Sequence, residues 1–140
     1  MKRCLLAWLA VFVAWSVLDF LGHGLAFQSL YAQGAGVWRP QAEMKIGVIY
    51  LAVAITSGAF VGVYSRLISS KCVGNGVIYG ALFGIGAGAS MAGGGYAVHP
   101  IPMELAGGWF VLTLIESIAG GWLVGKIAPE CCPPLEPQKS

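Results

Sequence analysis

Four uninterrupted apolar runs dominate this 140-residue chain, and each is long enough to cross a bilayer. They extend from about Cys4 to Tyr31, Ile46 to Ile68, Val73 to Val98 and Leu105 to Ile127. Roughly 20 apolar residues in a helix cover about 30 Å of hydrocarbon. Only 10% of the residues are charged and 57% are hydrophobic. Soluble domains carry about 25% charged residues, so this chain has too few charges to coat a water-facing surface. Short connections between the runs predict an all-α fold, a single antiparallel transmembrane four-helix bundle over 1–128. The segment 129–140, "PECCPPLEPQKS", is too proline-rich to continue a helix and reads as a cytoplasmic tail.

Six of the eight basic residues fall at one end of this arrangement: Lys2, Arg3, Arg66, Lys71, Lys126 and Lys139. Arg39 and Lys45 fall at the other. By the positive-inside rule both termini are expected in the cytoplasm, in a multi-pass protein of a bacterial inner membrane. Tyr31 and Trp38 sit where an interfacial aromatic belt belongs. A competing reading takes the basic start and apolar centre of "MKRCLLAWLAVFVAWSVL" as a cleaved signal, which would leave three spans. Pro40 suits a helical first turn, with Glu43 near the positive end of the dipole, so the second helix is expected to start there. Pro102 and Glu104 repeat the device at the fourth.

The third run is the glycine-rich one. Gly76, Gly80, Gly84 and Gly88 recur at every fourth residue, leaving a groove almost free of side chains along one helix face. Gly58 with Gly62, and Gly121 with Gly125, place the same spacing on the second and fourth runs. In lipid such grooves let helix backbones approach closely, so these eight glycines are expected to serve helix packing. "GIGAGA" fits the dinucleotide fingerprint only loosely. The motif also needs a preceding strand and an amphipathic helix after it, and this uniformly apolar run supplies neither. Nucleotide and nucleic acid are excluded as partners. "AGGGY", Ala92 to Tyr96, is expected to unwind near the helix end.

Ionisable residues within spans are costly and mark candidate sites. Asp19 stands about 22 Å along the first helix from Cys4, and His23 follows at i+4 on the same face. Trp8, Phe12 and Trp15 continue that face. On the fourth run Trp109, Thr113 and Glu116 share one side, and on the second Tyr50, Ser57 and Tyr64 stand at heptad spacing. A bundle that turns these faces inward gathers Asp19, His23 and Glu116 into one intramembrane polar site, lined by Trp15, Tyr96, His99 and Thr113. Glu116 has no basic residue within its own span, so a neutral or proton-shuttling acid fits it as well as a salt bridge. The blander alternative pairs Asp19 with His23 merely to fix the rotation of the first helix.

Other chemistry is thinly represented. Ligation of haem by two histidines would require His23 and His99 to meet across a macrocycle. The adjacent Cys131 and Cys132 are weak candidates for a soft metal. No catalytic residues are assigned and no cofactor is predicted, with haem, quinone or a soft metal as the alternatives.

"LDFLGHG", "WRP", "YGALFG" and "YAVHPIP" followed by a tryptophan and "IES" together resemble small four-span bacterial membrane proteins grouped as domains of unknown function. That resemblance implies architecture and no activity. Three functions stay open: a non-catalytic accessory or packing subunit of a larger membrane assembly, a small oligomeric transporter or channel using the Asp/His/Glu cluster, and a haem-, quinone- or metal-binding redox protein. The expected partners are the lipid bilayer and either other membrane subunits or further copies of the chain.

Overall fold

The computed structural model describes residues 2–34 and 36–127; the expected tail and its Cys131–Cys132 pair lie outside the described residues. Four long helices form the body: α1 (Lys2–Asp19, prolonged by a π-helical segment Phe20–Ala26), α3 (Ile46–Leu67), α4 (Val73–Val98) and α5 (Met103–Ile127). A short helix α2 (Gln28–Gln33) and a 3₁₀ turn at Gln41–Glu43 lie in the connection from α1 to α3. All four long helices are apolar enough to cross a membrane, as befits a multi-pass integral membrane protein. The basal end of the bundle holds Lys2, Leu67, Val73 and Ile127. The opposite, loop end holds the 27–45 connection and the His99–Pro102 turn.

α4 and α5 form the closest pair, and glycine makes it possible. Gly76, Gly80, Gly84 and Gly88 are all buried on α4. A Cβ on Gly76 would run into the Gly121 carbonyl oxygen, and one on Gly80 into that of Ser117. Gly125 lies against Val73, Gly84 against Leu114 and Ser117, and Gly88 beneath the Phe110 ring. Residue numbers rise on one helix as they fall on the other, so the pair is antiparallel. Without a hydrophobic drive between helices in lipid, such backbone contact is a main source of association.

The other seams are closed by aromatic side chains, each bringing one polar atom to a carbonyl on a neighbouring element. Trp8 Nε1 donates to Ala54 O of α3 at 2.9 Å, and Trp15 Nε1 donates to Glu116 O of α5 at 2.6 Å. Tyr79 Oη of α4 donates to Phe60 O of α3 at 2.9 Å. Tyr64 Oη donates to Cys72 O at 3.0 Å, tying α3 to the start of α4. A basal core of Ala7, Val11, Trp15, Phe60, Val61, Tyr64 and Val124 results. A second core at the loop end gathers Ala92, Ile101, Leu105 and Ala106 under Phe27, Tyr31, Trp38 and Trp109.

Four sequence expectations are corrected. The first run is not one helix to Tyr31: it widens into π geometry at Phe20, and Phe27 N bonds Gly22 O at 2.9 Å. Gly22 and Gly24 permit this, with Leu112 packed where a Gly22 Cβ would lie. The Gln28 side-chain amide donates to Gly24 O and so satisfies a carbonyl at the end of the segment. "AGGGY" does not unwind; α4 is continuous to Val98, and Gly95 packs beneath Trp109. Lipid favours this because a helix satisfies its own backbone. Pro40 opens only the detached 3₁₀ turn, since Met44 is extended and α3 starts at Ile46. Gly62 meets nothing within 4 Å of a built Cβ, because α3 packs through Phe60 and Tyr64 rather than through its backbone. Gly58 does pack, against the Trp8 indole.

Substitution at two glycines of α4 should therefore have opposite effects. Gly80→Ala should destabilise the bundle by about 1–3 kcal/mol through overpacking. Gly86→Ala, with nothing within 4 Å, should be neutral or gain up to about 1 kcal/mol of helix propensity. Reversible unfolding in mixed micelles measures both.

Candidate functional site

The polar site is set by how α1 stands against α5. Trp15 reaches the Glu116 carbonyl only because residue 120 is glycine: a Cβ there would sit 2.9 Å from Trp15 Nε1. Side chains on a helix lean toward its N-terminus, so the Glu116 carboxyl leans toward the loop end of α5. One turn beyond Trp15, α1 presents Asp19 at that level, so that the two carboxyls face each other closely enough to interact. A hydrogen bond between carboxyls needs one proton between them, because two carboxylates are both acceptors only. Glu116 Oε1 is buried with no hydrogen-bond partner.

Toward the loop end the chain of contacts continues. His23 Nε2 stands 3.7 Å from Asp19 Oδ1. Its other nitrogen, Nδ1, lies 2.6 Å from Tyr31 Oη, and Trp109 Nε1 donates to the same phenol at 2.9 Å. Tryptophan can only donate, so the phenol accepts from Trp109 and its own O–H is free to donate to His23 Nδ1. In that arrangement the one N–H of the neutral imidazole lies on Nε2, toward Asp19. Donors thus run from Trp109 through Tyr31 and His23 to the Asp19 carboxylate, while Glu116 completes the set from the other side.

Tyr31 and Trp109 belong to a cluster of rings with His23, Phe27 and Trp38, at centroid separations of 5.1 to 6.4 Å. Phe27 fits because Gly108 leaves room beneath its ring. Trp38 Nε1 is buried with no partner. Burial pushes the Tyr31 phenol above its ordinary range, the Trp109 N–H works against this, and the Asp19 charge adds to the rise.

Asp19, His23 and Glu116 are thus brought together, with Trp15 directly beneath them. Thr113 is half-buried on the α5 face between Trp109 and Glu116. Tyr96 and His99, expected to line the site, do not join it. Tyr96 is exposed on the outer groove beside Met103 and Phe110, and His99 is an exposed turn residue whose Nδ1 lies 3.2 Å from Gly95 O. The continuous α4 helix accounts for this, since it turns Tyr96 into the groove with Gly93, Met103 and Phe110 and ends at Val98, just before His99. Both His23 nitrogens already face partners, Tyr31 and Asp19. Among the described residues no group of three or more His, Cys, Asp or Glu side chains is arranged to hold a metal ion.

The sequence reading placed Tyr31 in an interfacial belt and missed its place in the site. Its only signal was a position eight residues after His23, and the π segment between them gives that spacing its meaning. No protein-family model matches the chain, and no curated protein and no solved structure matches it.

Nitrogen NMR of histidine-labelled protein should find His23 as the neutral Nε2–H tautomer, with Nδ1 shifted as a hydrogen-bond acceptor. Tyr31→Phe should remove that shift and cost about 1–3 kcal/mol by leaving Trp109 Nε1 unpaired. Because folding raises the phenol's pKa, its contribution is complete below the unfolded value, about 10, and is lost as pH rises through the folded value. Alkaline unfolding curves of wild type and Tyr31→Phe should converge.

Proposed function

We propose that this chain is a small membrane transporter that moves protons through Asp19 and Glu116. The observation that carries the reading is the contact chain Glu116–Asp19–His23–Tyr31–Trp109. It leads from the middle of the bundle to the loop end through groups that can each give or take a proton, apart from the anchoring indole. Intramembrane carboxyl and imidazole chains of this kind suit proton relays. The step between His23 and Asp19, 3.7 Å, is within the reach of a small side-chain movement.

Orientation belongs to the same reading. With Lys2, Arg3, Arg66, Lys71 and Lys126 at the basal end, that end faces the cytoplasm of a bacterial inner membrane and the Tyr31–Trp109 cluster faces out.

A second reading, an accessory subunit of a larger assembly, is favoured by one specific feature. Gly86, Gly93, Gly94 and Gly107 meet nothing within 4 Å among the described residues, so α4 and α5 carry small residues on a side that no described helix covers. Gly93 and Gly107 line an apolar groove there with Ala89, Met103 and Phe110. Such a surface suits a partner helix.

Vesicles containing the purified protein and a trapped pH dye, under an imposed potassium diffusion potential, separate the readings. Proton entry above that of empty vesicles is expected, falling to the empty-vesicle level with Asp19→Asn or Glu116→Gln and unchanged with His99→Ala. Wild-type flux no greater than that of empty vesicles would reject the transport reading.

A further inference from the structure

α3 changes its surroundings halfway along. Its buried residues, Ser57, Phe60, Val61, Tyr64 and Ser65, all lie in the second half. From Ile46 to Thr56 no residue is buried. Tyr50 stands seven residues before Ser57 and fourteen before Tyr64, and a heptad drifts by only about 20° on a straight helix. The three therefore share one face. Ser57 and Tyr64 are fully buried on it, while Tyr50 is 45% exposed. The face that packs into the bundle near the basal end is left uncovered near the loop end.

α1 shows the matching half. Trp8 marks the side of α1 that meets α3, through its bond to Ala54 O and its contact with Gly58. Phe12, Trp15, Asp19 and His23 continue that side at three- and four-residue spacing. Above the packed part, the His23 and Asp19 side chains keep 33% and 29% of their exposure. Acyl chains cannot fill this space cheaply, since an ionisable pair at membrane depth costs several kcal/mol against hydrocarbon. Basally the space is closed by the rings of Trp15, Phe60, Tyr79 and Phe83, which pack on one another at 4.5 to 6.2 Å.

We infer that the space between the first half of α3 and the Asp19–His23 side of α1 is a water-filled vestibule open at the loop end, and that Tyr50 lines it as a polar residue facing the site. This rests on the proton-transport reading and names its route of access: water brings protons to Asp19 along the α1–α3 gap, and the basal ring cluster stops that water from crossing. Tyr50 is then a positioning residue for water and not a lipid-facing aromatic.

Cysteine accessibility tests the vestibule in a background with Cys4, Cys72, Cys131 and Cys132 replaced by serine, reconstituted in vesicles exposed on both sides to a charged thiol reagent. Only a water-exposed thiol ionises and reacts readily, so Tyr50→Cys should react more than about tenfold faster than Ile55→Cys on the opposite face or Ser57→Cys in the core. Val53→Cys, one turn deeper, should also outpace Ile55→Cys, which keeps the test decisive if Tyr50→Cys does not fold. Equal rates at 50, 53 and 55 would overturn the vestibule. Proton flux of the same cysteine-free protein separates the two claims. Flux without labelling at 50 and 53 rejects the vestibule alone, whereas labelling without flux keeps the vestibule and rejects transport.

Discussion

The backbone contact between α4 and α5 is the constraint on which the remaining structure depends. Each carbonyl of Gly76, Ser117 and Gly121 lies where a neighbouring residue's Cβ would stand if that residue were not glycine. So close an approach fixes the height and rotation of α5, and α5 carries both ends of the polar chain. Trp109 and Glu116 stand seven residues apart, about 10 Å along the helix axis. They are held at the levels where α1 and α2 bring Tyr31 and Asp19. A looser α4–α5 pair would let α5 rotate and carry Glu116 away from its partner.

α1 is positioned by a different device. Its two tryptophans each bring an indole N–H to a carbonyl of another helix, and each passes a glycine to do so, Gly58 for Trp8 and Gly120 for Trp15. An indole combines a large apolar body with one obligatory donor, so its bond to a fixed carbonyl sets height and rotation together. Asp19 follows Trp15 by one turn and takes its place from it. The π segment then swings His23 and the start of α2 over α5, which lets a phenol from a separate short helix close the chain.

Much of this was legible before any coordinates. The four spans and the row Gly76–Gly80–Gly84–Gly88 follow from composition and four-residue spacing, whereas a meeting of Asp19, His23 and Glu116 is only one of the arrangements that the sequence allows. What escaped was set by geometry that no period encodes. The π segment at Phe20–Ala26 depends on Leu112 packing over Gly22, a contact between residues ninety positions apart, and Tyr31 reaches His23 only because of it. Three successive glycines suggest a break in α4 that would turn Tyr96 toward the site, but the helix runs unbroken to Val98 and His99 stays in the turn beyond it. Gly62 was read from spacing alone, although α3 packs through rings. The outer half of α3 was taken to face inward because Tyr50, Ser57 and Tyr64 share a face, and the face is indeed shared, but the helix packs along only half its length.

The close approach of the Asp19 and Glu116 carboxyls is the centre of this arrangement, and infrared spectroscopy of the protein in lipid reports on it directly. A protonated carboxyl band at neutral pH that vanishes in Glu116→Gln and changes frequency in Asp19→Asn is the expected result, since two carboxyls held this close favour keeping one proton between them. A Glu116→Gln spectrum indistinguishable from wild type in the carboxyl region would contradict it, and with it the placement of α1 against α5.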